Sequence, residues 1–325
     1  MSTATSLSVR SLLTKAIART ALSGRARSIA GLTPATKALA VAAVAHAAHE
    51  SVVLYVTADD PDLETATSDV RFFLAALEGL HDAAVERAVL PFPAYQVDPY
   101  RGLAPHFRVT SARARALHAA ALGSARIVVA SAQALMPRLA APESVLATSF
   151  DLKPGVEIDP HGLAAILVEG GYERQDPVDE HGEFSLRGGI LDVYPAGEAA
   201  PIRIEFIGDS VESIRRFDPG TQRSIETLDQ FQIVPVKEAT GASDDAAVLG
   251  ASVFDYLRAS RSVRIVVAEP QDVRAQVQKW DEHLTASFEE RSGDKTPGDR
   301  ERRSPRELML SWEDIAPRVT DAVSL

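Results

Sequence analysis

A chain of 325 residues, with 46% hydrophobic and 24% charged side chains, has the size of two or three globular domains and ample core material. It contains no cysteine, which excludes disulfides and thiolate metal sites, and no apolar run near the roughly 20 residues that cross a bilayer as a helix. A formal net charge of −11 speaks against a surface that coats nucleic acid, since phosphate contacts need clustered Lys and Arg.

The charge is uneven along the chain. No Asp or Glu precedes Glu50, whereas Arg10, Lys15, Arg19, Arg25, Arg27 and Lys37 all fall in that stretch. A basic, Ser-rich start can be a targeting peptide, but the continuous apolar core of a secretory signal is missing. We prefer a basic amphipathic helix packed on the first domain, with Leu7, Leu12, Leu13, Ile17 and Leu22 at helical spacing. A reducing cytoplasm fits the absence of cysteine and is the expected location, although that absence is compatible with other compartments too.

The Ala-rich run Ala38–His49 predicts a helix, and the β-branched run Ser51–Thr57 predicts a buried strand. A helix over Leu63–Leu80, a strand end after Ala84–Leu90, a helix over Ser111–Ala121 and a strand over Arg126–Ser131 follow. Such alternation predicts a mostly parallel α/β sheet. Near residue 136 the pattern changes. One helix at His161–Val168, stopped by Gly170-Gly171, precedes short alternating segments at Glu183–Leu186, Ile190–Tyr194, Ile202–Phe206 and Val211–Phe217. Turns at Gly188-Gly189, Gly197 and Gly208-Asp209 separate them, predicting an antiparallel α+β module. From about residue 221 the α/β pattern returns, with Asp255–Ser260 leading into the strand Ser262–Ala268, then a helix at Gln271–Phe288. The charged stretch Arg291–Arg306 reads as a linker before a short final helix. The expected organisation is α/β over 1–135, α+β over 136–220, and α/β again over 221–325.

Gly31-Leu-Thr-Pro-Ala-Thr36-Lys37-Ala38 lies where a nucleotide-binding loop would lie, before a helix and a buried strand. Against G-x-x-x-x-G-K-[ST], Gly31 and Lys37 fit, but Thr36 replaces the second glycine and Ala38 the Mg²⁺-binding hydroxyl. Pro34 removes a backbone donor. At the end of the strand Ser262–Ala268, a helicase-type Asp-Glu pair is reduced to Ala268-Glu269. Each fragment alone can be an ordinary helix start or strand end. Together they suggest a nucleotide-binding ancestor without its catalytic parts, so no ATPase and no ATP or Mg²⁺ cofactor are expected.

The most specific stretch reads Gly170-Gly-Tyr172-Glu-Arg174, then Glu180-His-Gly-Glu-Phe184-Ser-Leu-Arg187-Gly-Gly-Ile-Leu-Asp192-Val-Tyr194-Pro195. It continues with Ile202-Arg203-Ile-Glu205-Phe206-Ile-Gly-Asp209 and Ile214-Arg-Arg-Phe217-Asp218-Pro-Gly-Thr-Gln222-Arg223. In order and spacing this resembles the second domain shared by the excision-repair protein UvrB and the bacterial transcription-repair coupling factor Mfd. The lost phosphate loop favours the Mfd branch. So does the short Leu90-Pro-Phe92-Pro-Ala-Tyr95-Gln-Val-Asp98-Pro-Tyr100 connection, which leaves no room for the long aromatic DNA-clamping hairpin of UvrB.

The resemblance covers about residues 30–290 and implies a degenerate RecA-like (P-loop NTPase-type) lobe enclosing a UvrB-domain-2-like module that docks UvrA. Residue by residue it carries UvrA binding onto Arg187, Arg203 and Glu205, then Phe184 and Arg174. At Arg174 it departs from the Mfd pattern, where the arginine stands one place earlier and this chain has Glu173. Alternation alone puts Phe184 and Leu186 on one face and Ser185 and Arg187 on the other, which leaves a core Phe184 and a turn-capping Arg187 as the plain alternatives. In the family, an ATP-dependent translocase, RNA polymerase and DNA contacts, and a C-terminal domain that covers the docking surface lie in further parts of the protein. No translocase motif occurs in this chain, which reads as a fragment or as a stand-alone piece.

His46-Ala-Ala-His49-Glu50 matches neither H-E-x-x-H nor H-x-x-E-H, so no metal site is expected. Asp59-Asp60 and Asp244-Asp245 read as caps or loop solvation, and Arg300, Arg302, Arg303 and Arg306 are interleaved with acids in the predicted linker. The competing functions are a divergent nucleotide-hydrolysing helicase accessory using Lys37 and Glu269, and a UvrB-like DNA-binding module.

Overall fold

The computed structural model describes residues 3–19, 27–147, 149–195, 198, 200–234, 249–292 and 303–325. Leu22 and Arg25, the Gly197 turn, Asp244-Asp245 and residues 293–302 of the predicted linker, with Arg300 and Arg302, lie outside them. The elements run α1 (Thr3–Arg19), α2 (Pro34–Ala47), β1 (Ser51–Thr57), α3 (Asp60–Glu78), α4 (Asp82–Ala88), β2 (Val89–Phe92), α5 (Phe107–Ala121), β3 (Ile127–Ser131) and α6 (Pro142–Ala147). Then come β4 (Phe150–Leu152), α7 (Pro160–Glu169), β5 (Glu173–Arg174), β6 (Glu183–Arg187), β7 (Ile190–Val193), β8 (Ile202–Ile207), β9 (Ser210–Phe217), β10 (Ser224–Thr227) and β11 (Phe231–Ile233). The chain closes with α8 (Val253–Arg258), β12 (Ser262–Val267), α9 (Pro270–Ser292), α10 (Pro305–Leu308), α11 (Trp312–Val319) and β13 (Val323–Ser324).

The larger unit is a five-stranded parallel sheet in the order β13-β12-β1-β3-β2. Its central strand β1 is buried at every residue, as expected for a strand covered on both faces. Val52, Leu54 and Val56 enter a core with α5, α8 and α9, while Val53 and Tyr55 enter a second core under α2 and α3. Alanines Ala38, Ala40, Ala42, Ala43 and Ala45 let α2 sink into that second core. Strands from both ends of the chain therefore build one sheet, and the antiparallel unit is an excursion from it. None of the described helices is long and apolar enough to cross a membrane.

The smaller unit is a six-stranded sheet, β10-β9-β8-β7-β6-β5, antiparallel except for the parallel β5–β6 pair. Helix α7 covers one face, and a β4–β11 ribbon closes the edge of that core. Gly171, at φ +91°, supplies the left-handed residue that ends α7.

The expected limits of 136 and 220 for this unit need correction. Met136 and Leu139 are buried in the core of the parallel unit, and Leu139 pairs with Ala251 through N–H···O bonds of 2.8 and 3.0 Å in the two directions. The outgoing and returning chains thus cross the boundary side by side. At the other end, β10 and β11 at 224–233 pair within the smaller unit, through β9 and β4. It spans residues 150–233 in the sheets.

Candidate functional site

Alternation along β6, β7, β8 and β9 sends one row of side chains into the α7 core and the other to an open face. The open row carries Ser185, Arg187, Ile190, Asp192, Arg203, Glu205, Ser213 and Arg215, brought together by the pairings Ser185↔Asp192, Asp192↔Arg203, Glu205↔Ser213 and Arg203↔Arg215. At its centre Asp192 is 1% exposed. Its Oδ1 accepts from Arg203 Nε at 2.7 Å, and its Oδ2 accepts from Arg203 Nη2 at 2.8 Å and from Arg187 Nη2 at 3.2 Å. Arg203 also stacks on Phe217, 4.6 Å from the ring centroid, and its Nη1 donates to the Gln222 carbonyl at 3.3 Å. The hydrogen bonds from Asp192 raise the Arg203 pKa further, against the pull of burial.

Arg187 is 51% exposed on its side chain and reaches out to Asp176 at 3.1 Å. Glu205 accepts from Ser213 Oγ at 2.6 Å and pairs with Arg215 at 3.1 Å. Of the five residues singled out from sequence, Arg187, Arg203 and Glu205 share this face. Arg174 sits apart on the exposed edge strand β5, donating to the Leu186 carbonyl at 3.3 Å.

Phe184 has to be corrected. It is fully buried, packed in the α7 core opposite Val193, and offers nothing to a partner. Exposed apolar surface comes instead from Ile190 on the open face and from Ile207, 68% exposed at the end of β8. Sequence reading missed Ile207 and Asp192. Counting by two from Arg203 through Glu205 reaches Ile207, so the signal was present.

In the parallel unit, the stretches around Lys37 and Glu269 meet. The Thr33 hydroxyl accepts from the Thr36 N–H at 3.4 Å and the Thr33 carbonyl from the Lys37 N–H at 2.9 Å, so α2 is already capped with Pro34 in its first turn. Gly31 keeps a left-handed backbone at φ +77°, and Ala38 is buried in the core. Lys37 Nζ is paired with the Glu269 carboxylate. Glu269 itself adopts φ +45°, with its N–H held by the Leu325 carbonyl at 2.9 Å.

His46, His49 and Glu78 bring ligand-type atoms within 4.8 Å of one another. Arg126 already holds both oxygens of Glu78, at 3.1 and 3.3 Å, and supplies the positive charge that a cation would bring. Between the two units lies a cleft of about 800 Å³ lined by Arg87, Arg115, His118, Asp151, Arg216 and Phe231. Burial lowers the His118 pKa, opposed by Asp151. At the start of α5, Phe107 packs so closely on Gly182 that a Cβ there would lie 2.5 Å from the ring.

The family described as the UvrB interaction domain matches residues 150–238, which include the sheets of the smaller unit at 150–233. The transcription-repair-coupling factor of Bacillus subtilis (strain 168) is 33% identical over 210 residues, 65% of this chain and 17% of the relative. That of Escherichia coli (strain K12) is 28% identical over 228 residues, 69% of this chain and 18% of the relative. The UvrABC system protein B of Thermosipho africanus (strain TCF52B) is 31% identical over 160 residues, 49% of this chain and 22% of the relative. The chain thus spans 17–18% of the length of these two coupling factors. It is similar to the transcription-repair-coupling factors, and its residues 150–238 match the UvrB interaction domain family.

Proposed function

We propose that this chain is a recruiting module of transcription-coupled nucleotide excision repair, in which the open sheet face of the smaller unit docks UvrA. The observation that carries the reading is the pair Arg187 and Arg203 on buried Asp192, with Glu205 on the same sheet face, inside the segment that matches the UvrB interaction domain. Arginine forks pair two-toothed with carboxylates and are enriched where interfaces concentrate their energy. Ile190 and Ile207 add apolar surface beside them. The enclosing parallel unit is, in this reading, a degenerate RecA-like lobe of UvrB type that orients the module and does not turn over ATP. The Lys37–Glu269 pair supports that part, since the cation that would meet phosphate is already engaged. Contacts with RNA polymerase and DNA, the translocase and the covering C-terminal domain belong to other parts of a full coupling factor, and the setting is the cytoplasm.

Calorimetric titration with purified UvrA tests the docking. Wild type binds, and Arg187→Ala and Arg203→Ala each weaken binding by roughly tenfold or more. Unaltered affinity in both variants would remove these residues from the interface. A parallel ATPase assay is expected to give no Mg²⁺-dependent turnover. Hydrolysis abolished in Lys37→Ala would favour the divergent-hydrolase alternative.

A further inference from the structure

The charged face has at its centre a group that no partner can touch. Asp192 is 1% exposed, and three of the roughly four lone-pair sites of its carboxylate are taken by N–H groups of Arg187 and Arg203. Its grip on Arg203 is fork to fork, through Nε on one oxygen and Nη2 on the other, which fixes the plane of that guanidinium as well as its position. The same Oδ2 takes one arm of Arg187, whose other arm rests on Asp176, itself half exposed.

We propose that Asp192 is a positioning residue: its buried carboxylate clamps Arg203 two-toothed and, through one of the same oxygens, sets the guanidinium of exposed Arg187 in advance, so that Arg187 is ready for a carboxylate on a docking partner. The consequence for binding rests on the docking reading above; the positioning itself rests on the hydrogen bonds. The chemistry explains why an acid stands here. Two arginines side by side repel unless an anion lies between them. Asn would offer one acceptor oxygen and turn an NH₂ group towards a guanidinium. The exposed Arg187–Asp176 pair is of the weak, solvent-screened kind, so a partner carboxylate can replace Asp176 while Asp192 keeps hold from beneath.

The test compares wild type, Asp192→Asn, Arg187→Ala and the double variant in two measurements. In the free protein, hydrogen exchange of the Arg203 Nε–H, followed by side-chain ¹⁵N NMR, is expected to run about tenfold faster in Asp192→Asn. In titrations with purified UvrA, Asp192→Asn is expected to bind roughly tenfold more weakly, and the double variant to lose clearly less than the product of the single losses. A purely structural role for Asp192 would leave Arg187 uncoupled and the losses multiplicative, which overturns the proposal; so does unchanged exchange at Arg203. If wild type fails to bind UvrA, the docking reading falls, and the exchange measurement alone decides for or against the positioning. Should Asp192→Asn not fold, Arg203→Lys takes its place. It keeps both charges but cannot grip two-toothed, so it is expected to weaken binding about tenfold and speed Arg187 side-chain exchange. Wild-type values for both would sink the idea.

Discussion

Two charged clusters in this chain use similar groups and face opposite ways. In the parallel unit the cation is the sheltered partner: the Lys37 side chain is 12% exposed, and Glu269 looks out to water at 61%. In the smaller unit the anion is sheltered, Asp192 at 1%, and Arg187 looks out at half exposure. The first arrangement leaves a carboxylate at the surface and a lysine spent on it. The second leaves an arginine fork at the surface, anchored from below. The difference teaches that the order of burial, not the list of residues, decides whether a cluster is closed or offers a hand. Both clusters descend from patterns that read as binding motifs, and one of them is turned inward.

The largest effect that separates them is on stability. Asp192→Ala strands Arg203, which is only 18% exposed, beside Arg187 with no anion between them. Breaking a buried pair from one side costs about 3 kcal/mol or more, because the remaining charge stays desolvated. A urea denaturation series is expected to record a loss of that size for Asp192→Ala. A loss under about 1 kcal/mol would mean that the guanidinium escapes to water, and that the cluster is no more anchored than a surface pair.

Much of this contrast was legible in the sequence, for reasons that can be stated residue by residue. Ser51–Thr57 reads as a strand because burial on both faces selects an unbroken apolar run. The open row Arg187, Arg203, Glu205 follows from strict alternation. Strands of two to four residues, such as β5, β10 and β13, left no such trace, since their existence depends on pairings made elsewhere. The boundary at Leu139 and Ala251 was invisible for the same reason: the two residues are far apart in sequence and their hydrogen bonds are backbone ones. Phe184 lies in the core, where its spacing points, although the resemblance carries UvrA binding onto it. Lys37 and Glu269 were each noted, but that one neutralises the other is a tertiary fact.

Neither cluster contains a group that titrates between about pH 5 and 8 in its ordinary state. Stability changes in that window must therefore come from elsewhere, and His118 in the cleft between the units is the candidate that burial identifies. Its folded pKa lies below its unfolded value, so the folded state binds fewer protons than the unfolded one once the pH drops under about 6.5. The contribution is then absent above that pH and destabilises progressively as pH falls towards the folded pKa. Urea midpoints at pH 7.5 and 5.5 are expected to differ in wild type and to converge in His118→Gln. Equal slopes in both proteins would move the pH sensitivity away from the cleft.

The smallest effects belong to the inward-turned pair. Lys37→Ala and Glu269→Gln are each expected to shift stability by no more than about 1 kcal/mol, because Glu269 is largely solvated and the interaction is screened. They should leave the UvrA titration untouched, in contrast to Arg187→Ala. Glu269→Gly sharpens the point, since it removes the same carboxylate but also relieves a non-glycine residue at φ +45°. Such a backbone conformation costs on the order of 1 kcal/mol for a side chain with a Cβ. If the ion pair is worth less than that strain, Glu269→Gly raises the urea midpoint where Glu269→Gln does not. If Glu269→Gly lowers it instead, the contact with Lys37 outweighs the strain. The Lys37–Glu269 pair would then be a structural tie between α2 and the end of β12, and the two clusters would differ in direction alone and not in strength.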